Sequence, residues 1–251
     1  MIEVRNLSGG YPGRPVLREI TLAFPPGSVM ALLGPNGCGK STLIKTTLGL
    51  LPREGGEIWI DGQELGTLTT RQVAQRAAYL AQSRNVPSIT ARKMVLHGRF
   101  PYLSYPRRYR PEDHAIVRAA LEQADAVDLA DRPMEELSGG QRQKVYLAMA
   151  LAQDTETVFM DEPTTFLDIR HQLEVMRVAR KLAEQGKAVV LVLHDLCLAL
   201  RYADVVTVLS DGRIQGSGTP EEIYQSGILE PVFEVGLSRV ETERGWQYYY
   251  F

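Results

Sequence analysis

Hydrophobic and polar residues alternate through the first sixty-five positions. In IEVRNL (2–7), VLREITLAF (16–24) and GGEIWIDGQEL (55–65), apolar side chains return at every second residue, and PG, GG and DG pairs punctuate the stretch. A period of two predicts half-buried strands, and the glycine pairs predict their turns. SVMALLG (28–34) breaks the alternation with a continuous apolar run, the pattern of a strand buried on both faces. It leads through a glycine-rich turn into KSTLIKTTLGLL, which has helical composition. AAYLAQ (77–82) predicts another buried strand.

From Ser83 to about Gln153 the texture changes. Strand-like runs disappear and helix starts take over, at Thr90 before ARKMVL, Pro111 before EDHAIVRAALEQA and Ser138 before a QRQ helix. Strand patterning resumes with TVFMDE (157–162), a helix over 170–185, the strand KAVVLVLH, a short helix and a strand pair in DVVTVLSDGRIQGSG. Strands alternating with helices predict a mostly parallel α/β sheet. The expected organisation is therefore a single unit: a core of residues 1–82 and 154–220, a helical insertion over 83–153, and a tail over 221–251. The tail reads as a helix and some aromatic-rich strand.

Composition narrows the setting. A length of 251 residues, 44% hydrophobic and 23% charged, suits one domain with a substantial core. The formal charge of −2 leaves no global basic footprint for nucleic acid, and RRYR (107–110) reads as a solvated face. Two widely separated cysteines, Cys38 and Cys197, fit a reducing compartment and no disulfide framework. The opening MIEVRNLSGGYPG has no signal-peptide pattern, and AVVLVLHDLCLAL (188–200) is too short to span a bilayer.

Three motifs carry chemistry. Gly34-Pro-Asn-Gly-Cys-Gly-Lys-Ser41 fits G-x-x-x-x-G-K-[ST] between a buried strand and a helix. Its backbone N–H groups can wrap a polyphosphate at a helix N-terminus. Lys40 is placed to reach β- and γ-phosphates, and the Ser41 hydroxyl to ligate Mg²⁺. TVFMDE ends an apolar strand in two carboxylates, a costly arrangement unless they meet a cation or water. Asp161 suits the metal role, and Glu162 the general base that polarises attacking water. LSGGQ (137–141) sets two glycines against a helix start. Ser138 and the N–H groups of Gly139 and Gly140 make an uncharged anion-binding cap there.

LSGGQ together with the phosphate loop resembles the ATP-binding cassette (ABC) ATPase family, and the likeness covers nearly the whole chain. It implies a P-loop NTPase (RecA-like) α/β core with an antiparallel β subdomain and an inserted α-helical subdomain. It also implies a homodimer that holds two ATP and Mg²⁺ between its subunits. One chain supplies Gly34, Pro35, Asn36, Gly37, Cys38, Gly39, Lys40, Ser41 and Thr42. The other supplies Ser138, Gly139, Gly140 and Gln141. Tyr11 matches the aromatic residue that stacks on adenine. Gln82 matches the glutamine that senses Mg²⁺ and attacking water. Asp168, in TTFLD (164–168), matches the acidic residue of a loop across the interface, and a plain helix cap is its other reading. His194 matches the histidine at the γ-phosphate.

Within the family the choice lies between soluble mechanical ATPases and transporter motors. One cassette, no long heptad segment, no zinc pattern and no basic surplus favour the motor. With no span of its own, such a chain would work through two separate permease subunits, peripherally at the cytoplasmic face of the plasma (inner) membrane, without nucleic acid. The helical insertion is where the family contacts its permeases. VLHGRFPYLS (95–104), LDIRHQLEVM (167–176) and HDLCLALRYAD (194–204) resemble the branch that imports iron chelates and vitamin B12 with a substrate-binding protein. Cys38 is frequent in this branch and takes no redox role, while Cys197 stands where asparagine is common. A ferric siderophore is the expected cargo; vitamin B12, haem or an oxyanion are its alternatives.

Overall fold

The computed structural model describes every residue except 83–85, 166 and 244. The expected start of the helical insertion at Ser83 lies outside the described residues. The chain opens with β1 (Ile2–Tyr11), β2 (Arg14–Phe24) and β3 (Val29–Leu33), then α1 (Lys40–Thr47), β4 (Arg53–Ile60) and β5 (Gln63–Glu64). α2 (Thr70–Ala74) and β6 (Ala77–Leu80) follow, then α3 (Ala91–Leu96), α4 (Pro111–Gln123) and α5 (Gly139–Ala152). The next elements are β7 (Thr157–Asp161), α6 (Ile169–Glu184), β8 (Ala188–Val192), α7 (Leu196–Tyr202), β9 (Val205–Ser210) and β10 (Arg213–Gly218). Last come α8 (Pro220–Gln225), α9 (Leu229–Phe233), β11 (Leu237–Thr242) and β12 (Gly245–Tyr250). α2 is absent from the hydrophobic pattern because five residues are too few to show a helical period; a reciprocal Thr69–Gln72 capping box starts it.

The alternating strands form an antiparallel sheet of order β2-β1-β4-β5. The continuous apolar runs form a six-stranded sheet of order β10-β9-β3-β8-β7-β6, parallel except for β10. Both faces of that sheet are covered, which is why β3, β7 and β8 are buried at every position. Val29, Ala31, Leu33, Val158, Met160, Val189 and Leu191 join one core, shared with α3, α4, α5 and α6. Met30, Leu32, Phe159, Val190 and Val192 join the other, with α1 and the antiparallel sheet. Phe159 meets Phe24 edge-to-face at 5.1 Å there.

That period of two aims the chemistry. Asp161 lies two residues beyond Phe159 and so on the same face, toward α1 and the phosphate loop. β3, β6, β7 and β8 run parallel, so the segments that follow them emerge at one edge of the sheet. In open parallel sheets that carboxyl edge is where ligands bind.

The helices over residues 91–152 share the first core rather than forming a separate one. Gly98 is there for close approach: a Cβ would lie 2.3 Å from the Met149 carbonyl of α5. Buried Arg99 donates to Asp113 of α4 at 3.0 Å and to the Ala152 carbonyl at 2.9 Å, and lies over the Tyr102 ring. The G-R pair of VLHGRFPYLS thus ties α3, α4 and α5 together. Phe100 and Tyr105 of the adjoining segment stay exposed, Tyr105 at 97%. The tail holds two short helices and a hairpin, where the sequence pattern offered one helix and some strand.

Candidate active site

The turn after β3 winds tightly before α1. Gly34 sits at φ 156°, where a Cβ would come within 2.1 Å of the Leu209 carbonyl, and Gly39 caps α1 at φ 113°. A side chain at Gly34 would push the loop off β9, so the turn depends on glycine. The buried Lys40 ammonium donates to the carbonyls of Gly34 at 2.7 Å and Pro35 at 2.9 Å, holding it over the loop. Burial pushes the Cys38 thiol pKa up, against the pull of Lys40. The neutral thiol behaves as a small apolar side chain.

A cleft of about 600 Å³ opens above this loop. Tyr11, Asn36, Gly37, Gly39, Lys40, Ser41, Thr42, Gln82, Glu162 and His194 line it, all expected site residues. Arg14, Val16 and Thr165 complete the lining and were not foreseen. Pro35 and Cys38 face the adjoining groove, beside Arg18 and Asp211.

Glu162 is the hub. It sits one residue past β7 at φ 52°, a left-handed conformation that costs a non-glycine residue about 1 kcal/mol. Its Oε2 accepts from Gln82 Nε2 at 2.6 Å and from the Thr165 hydroxyl at 3.1 Å. His194 Nε2 lies 2.8 Å from its Oε1. Three polar side chains from the ends of β6, β7 and β8 therefore converge on one carboxylate at the cleft floor.

Asp161 lies beneath, 2% exposed. Its Oδ2 accepts from the Tyr79 hydroxyl at 2.9 Å, while Oδ1 is buried with no hydrogen-bond partner among the described residues. An unpartnered buried carboxylate oxygen is expensive and suits a cation. Among the described residues no cluster of three or more His, Cys, Asp or Glu could hold a metal ion by itself. The single buried carboxylate of Asp161 would suit Mg²⁺, a cation that is held by one or two carboxylates together with substrate phosphates.

The remaining expected residues lie elsewhere. Ser138 caps α5, accepting from the Gln141 N–H, while the Gln141 side chain accepts from the Ser138 N–H. Gly139 and Gly140 form the first turn of α5, and none of these four lines the cleft. Asp168 caps α6, accepting from the His171 N–H at 2.9 Å, with the His171 ring nitrogen 2.7 Å away. Those contacts hold its carboxyl below the usual range. Phe166, within the same TTFLD run, lies outside the described residues.

Three contributors escaped the sequence reading. Tyr79 reaches Asp161 only because β6 is the parallel neighbour of β7. Thr165 reaches Glu162 through the turn after β7. Gln143 of α5 donates to the Pro163 carbonyl at 3.0 Å, tying the capped helix to that turn. Thr165 and Gln143 had a visible cue, their places in TTFLD and LSGGQRQ.

A family model described as ABC transporter matches residues 17–165, well over half of the chain. The chain belongs to this family. As an ABC cassette it binds ATP and hydrolyses it. It is 38% identical over 245 residues to the iron(3+)-hydroxamate import ATP-binding protein FhuC of Bacillus subtilis (strain 168), covering 97% of this chain and 91% of that protein. It is 45% identical over 222 residues to the hemin import ATP-binding protein HmuV of Rhodococcus jostii (strain RHA1), covering 88% and 75%. An inward-facing metal-chelate type ABC transporter superposes with a TM-score of 0.86 at 25% identity, covering 100% of this chain and 96% of the matched one. No helix among the described residues of this ABC cassette is long and apolar enough to cross a membrane.

Proposed function

We propose that this chain is the motor of an iron(III)-chelate importer, working as a homodimer beneath two separate permease subunits. It would sit peripherally at the cytoplasmic face of the plasma membrane, its cargo delivered by a substrate-binding protein. The observation that carries the two-chain reading is the start of α5. Among the described residues a Cβ at Gly139 would meet nothing within 4 Å, and the nearest neighbour of one at Gly140 is the His171 ring at 3.8 Å. Neither glycine has a positive φ. Each costs the helix conformational entropy relative to alanine, with no packing return among the described residues. The open space above that turn suits a phosphate held by a second molecule.

In this reading the loop N–H groups and Lys40 bind the β- and γ-phosphates, and Tyr11 stacks on adenine. The partner's Ser138-to-Gln141 cap closes the opposite side, with Asp168 at the same interface. Glu162 orients and deprotonates the attacking water. Gln82 and His194 hold that carboxylate in place and border the γ-phosphate. Ser41, Asp161 and Gln82 are the residues that would hold Mg²⁺; when bound, the ion neutralises charge on the β- and γ-phosphate oxygens.

The segment from Val95 to Tyr105 is the proposed permease contact, since Phe100 and Tyr105 are exposed while their neighbours lock the helices. The cargo rests on the relatives, whose names point to ferric hydroxamate and hemin import. Uptake assays in a host lacking this chain test it. Loss of ferric-siderophore uptake, with hemin and vitamin B12 uptake intact, is expected. Loss of hemin or vitamin B12 uptake alone would reassign the cargo. Normal uptake of all three, with the purified chain still hydrolysing ATP, would favour a soluble ATPase with no membrane partner.

A further inference from the structure

The C-terminal hairpin reaches back to the segment that carries His194. The Tyr250 hydroxyl, on β12, accepts from the Leu196 N–H at 2.9 Å and the Cys197 N–H at 3.4 Å, and donates to Asp195 Oδ1 at 3.2 Å. Those bonds use its one proton and both lone pairs. Asp195 caps α7 itself, accepting from the Leu198 N–H at 3.0 Å. The three N–H groups at the start of α7, which have no partner inside the helix, are thus satisfied together, two of them by the tail. His194 is the residue immediately before this cap, and its ring lies 2.8 Å from Glu162.

We propose that Tyr250 is a positioning residue for ATP hydrolysis: its hydroxyl fixes the start of α7 and through it the His194 ring against Glu162. The inference rests on His194 bordering the γ-phosphate, as set out above. Behind His194 the backbone is anchored by β8 and by the Leu193 N–H on the Leu32 carbonyl. Ahead of it, the Tyr250 hydroxyl anchors the first N–H groups of α7 from another part of the chain. Without it two N–H donors at the start of α7 lose their protein acceptor, and the helix start is free to fray. A shift of a fraction of an ångström in a group that orients water is enough to slow hydrolysis without changing how ATP binds. Burial, the Cys197 side chain and the nearby Asp195 charge raise the Tyr250 pKa above the ordinary phenol value, against the pull of the Cys197 N–H, so the hydroxyl stays a donor through neutral pH.

The chain's histidines, His97, His114, His171 and His194, make the test direct, since four ring signals can be assigned by substitution. Tyr250→Phe keeps the ring and removes the hydroxyl. Its kcat for ATP should fall about three- to tenfold at unchanged KM, and the His194 ring proton signals should move while those of His97, His114 and His171 stay. Gln247→Ala breaks a different tail contact, the bond from Arg201 at 2.8 Å, and should leave both readouts at wild-type values. An unmoved His194 signal, an unchanged kcat, or an equal loss in Gln247→Ala would overturn the proposal. Amide exchange on the wild-type chain gives a check that needs no variant: Leu196 and Cys197 must be protected, and fast exchange at both would overturn it too. A wild-type chain that hydrolyses no ATP would instead remove the functional reading beneath it.

Discussion

Glu162 shows how much a single position depends on its surroundings. A non-glycine residue at φ 52° with a nearly buried carboxylate is held there by Gln82, Thr165 and His194. Glu162→Gln keeps the size and removes the base. ATP binding should persist and hydrolysis should slow by at least about a hundredfold, with closed dimer accumulating; a wild-type rate would defeat the assignment. Asp113 offers a pH test at the same scale. Burial raises its pKa, but the Arg110 N–H and the Arg99 guanidinium outweigh this and hold it below its ordinary 3.8. A depressed carboxyl stabilises the fold fully above that ordinary value and loses the contribution as pH falls through the lower folded one. Asp113→Ala leaves Arg99 buried without its carboxylate and should cost about 3 kcal/mol at neutral pH. The variant's denaturant stability should also change less than the wild type's below about pH 4. Equal acid sensitivity would show that the pair does not report on folding.

At the scale of the element, α5 separates stability from function. Gly139→Ala adds a methyl into open space, so the monomer should gain about 0.5–1 kcal/mol in chemical denaturation. In the proposed two-chain site the same methyl would meet the partner's phosphate, and turnover should drop by about tenfold or more. A variant both more stable and fully active would mean that nothing approaches this turn. Ser138→Arg tests the two-chain site more severely, because a long cation fills the cap. Monomer ATP binding should survive it, while ATP-driven dimerisation, read by light scattering, should vanish. α6 and α7 show elements serving geometry rather than chemistry. Arg180 and Asp204 pair at 2.9 Å, and Asp204 also accepts from the Val29 N–H, fixing the entry of β3 and so the loop beyond it.

For the molecule as a whole, the helices over 91–152 share one core with the parallel sheet. The proposed permease contact on their outer surface would thus have a packed route to the strand ends that carry Gln82, Glu162 and His194. Hydrogen exchange over Val95–Tyr105 should slow in the assembled transporter relative to the free chain; unchanged exchange would remove this segment from the permease interface. The exposed Phe100 and Tyr105 make the effect measurable at a small surface.

Local chemistry is what a sequence carries by itself. The phosphate loop, LSGGQ and the two carboxylates of TVFMDE were legible because each depends on residues a few positions apart. Strand faces were legible too, since a period of two assigns Phe159 and Asp161 to one side whatever lies there. The family likeness named Gln82 and His194, but nothing within either local run shows that they meet. The tertiary structure decided that, because Gln82 and Glu162 stand 80 residues apart and touch only through the order β8-β7-β6. It also decided that Tyr79 supports Asp161, that the G-R pair of VLHGRFPYLS locks helices, and that the last strand of the tail ends against His194's neighbours. These pairings arise from strand order and packing, and residues far apart in a chain leave no periodic trace of them.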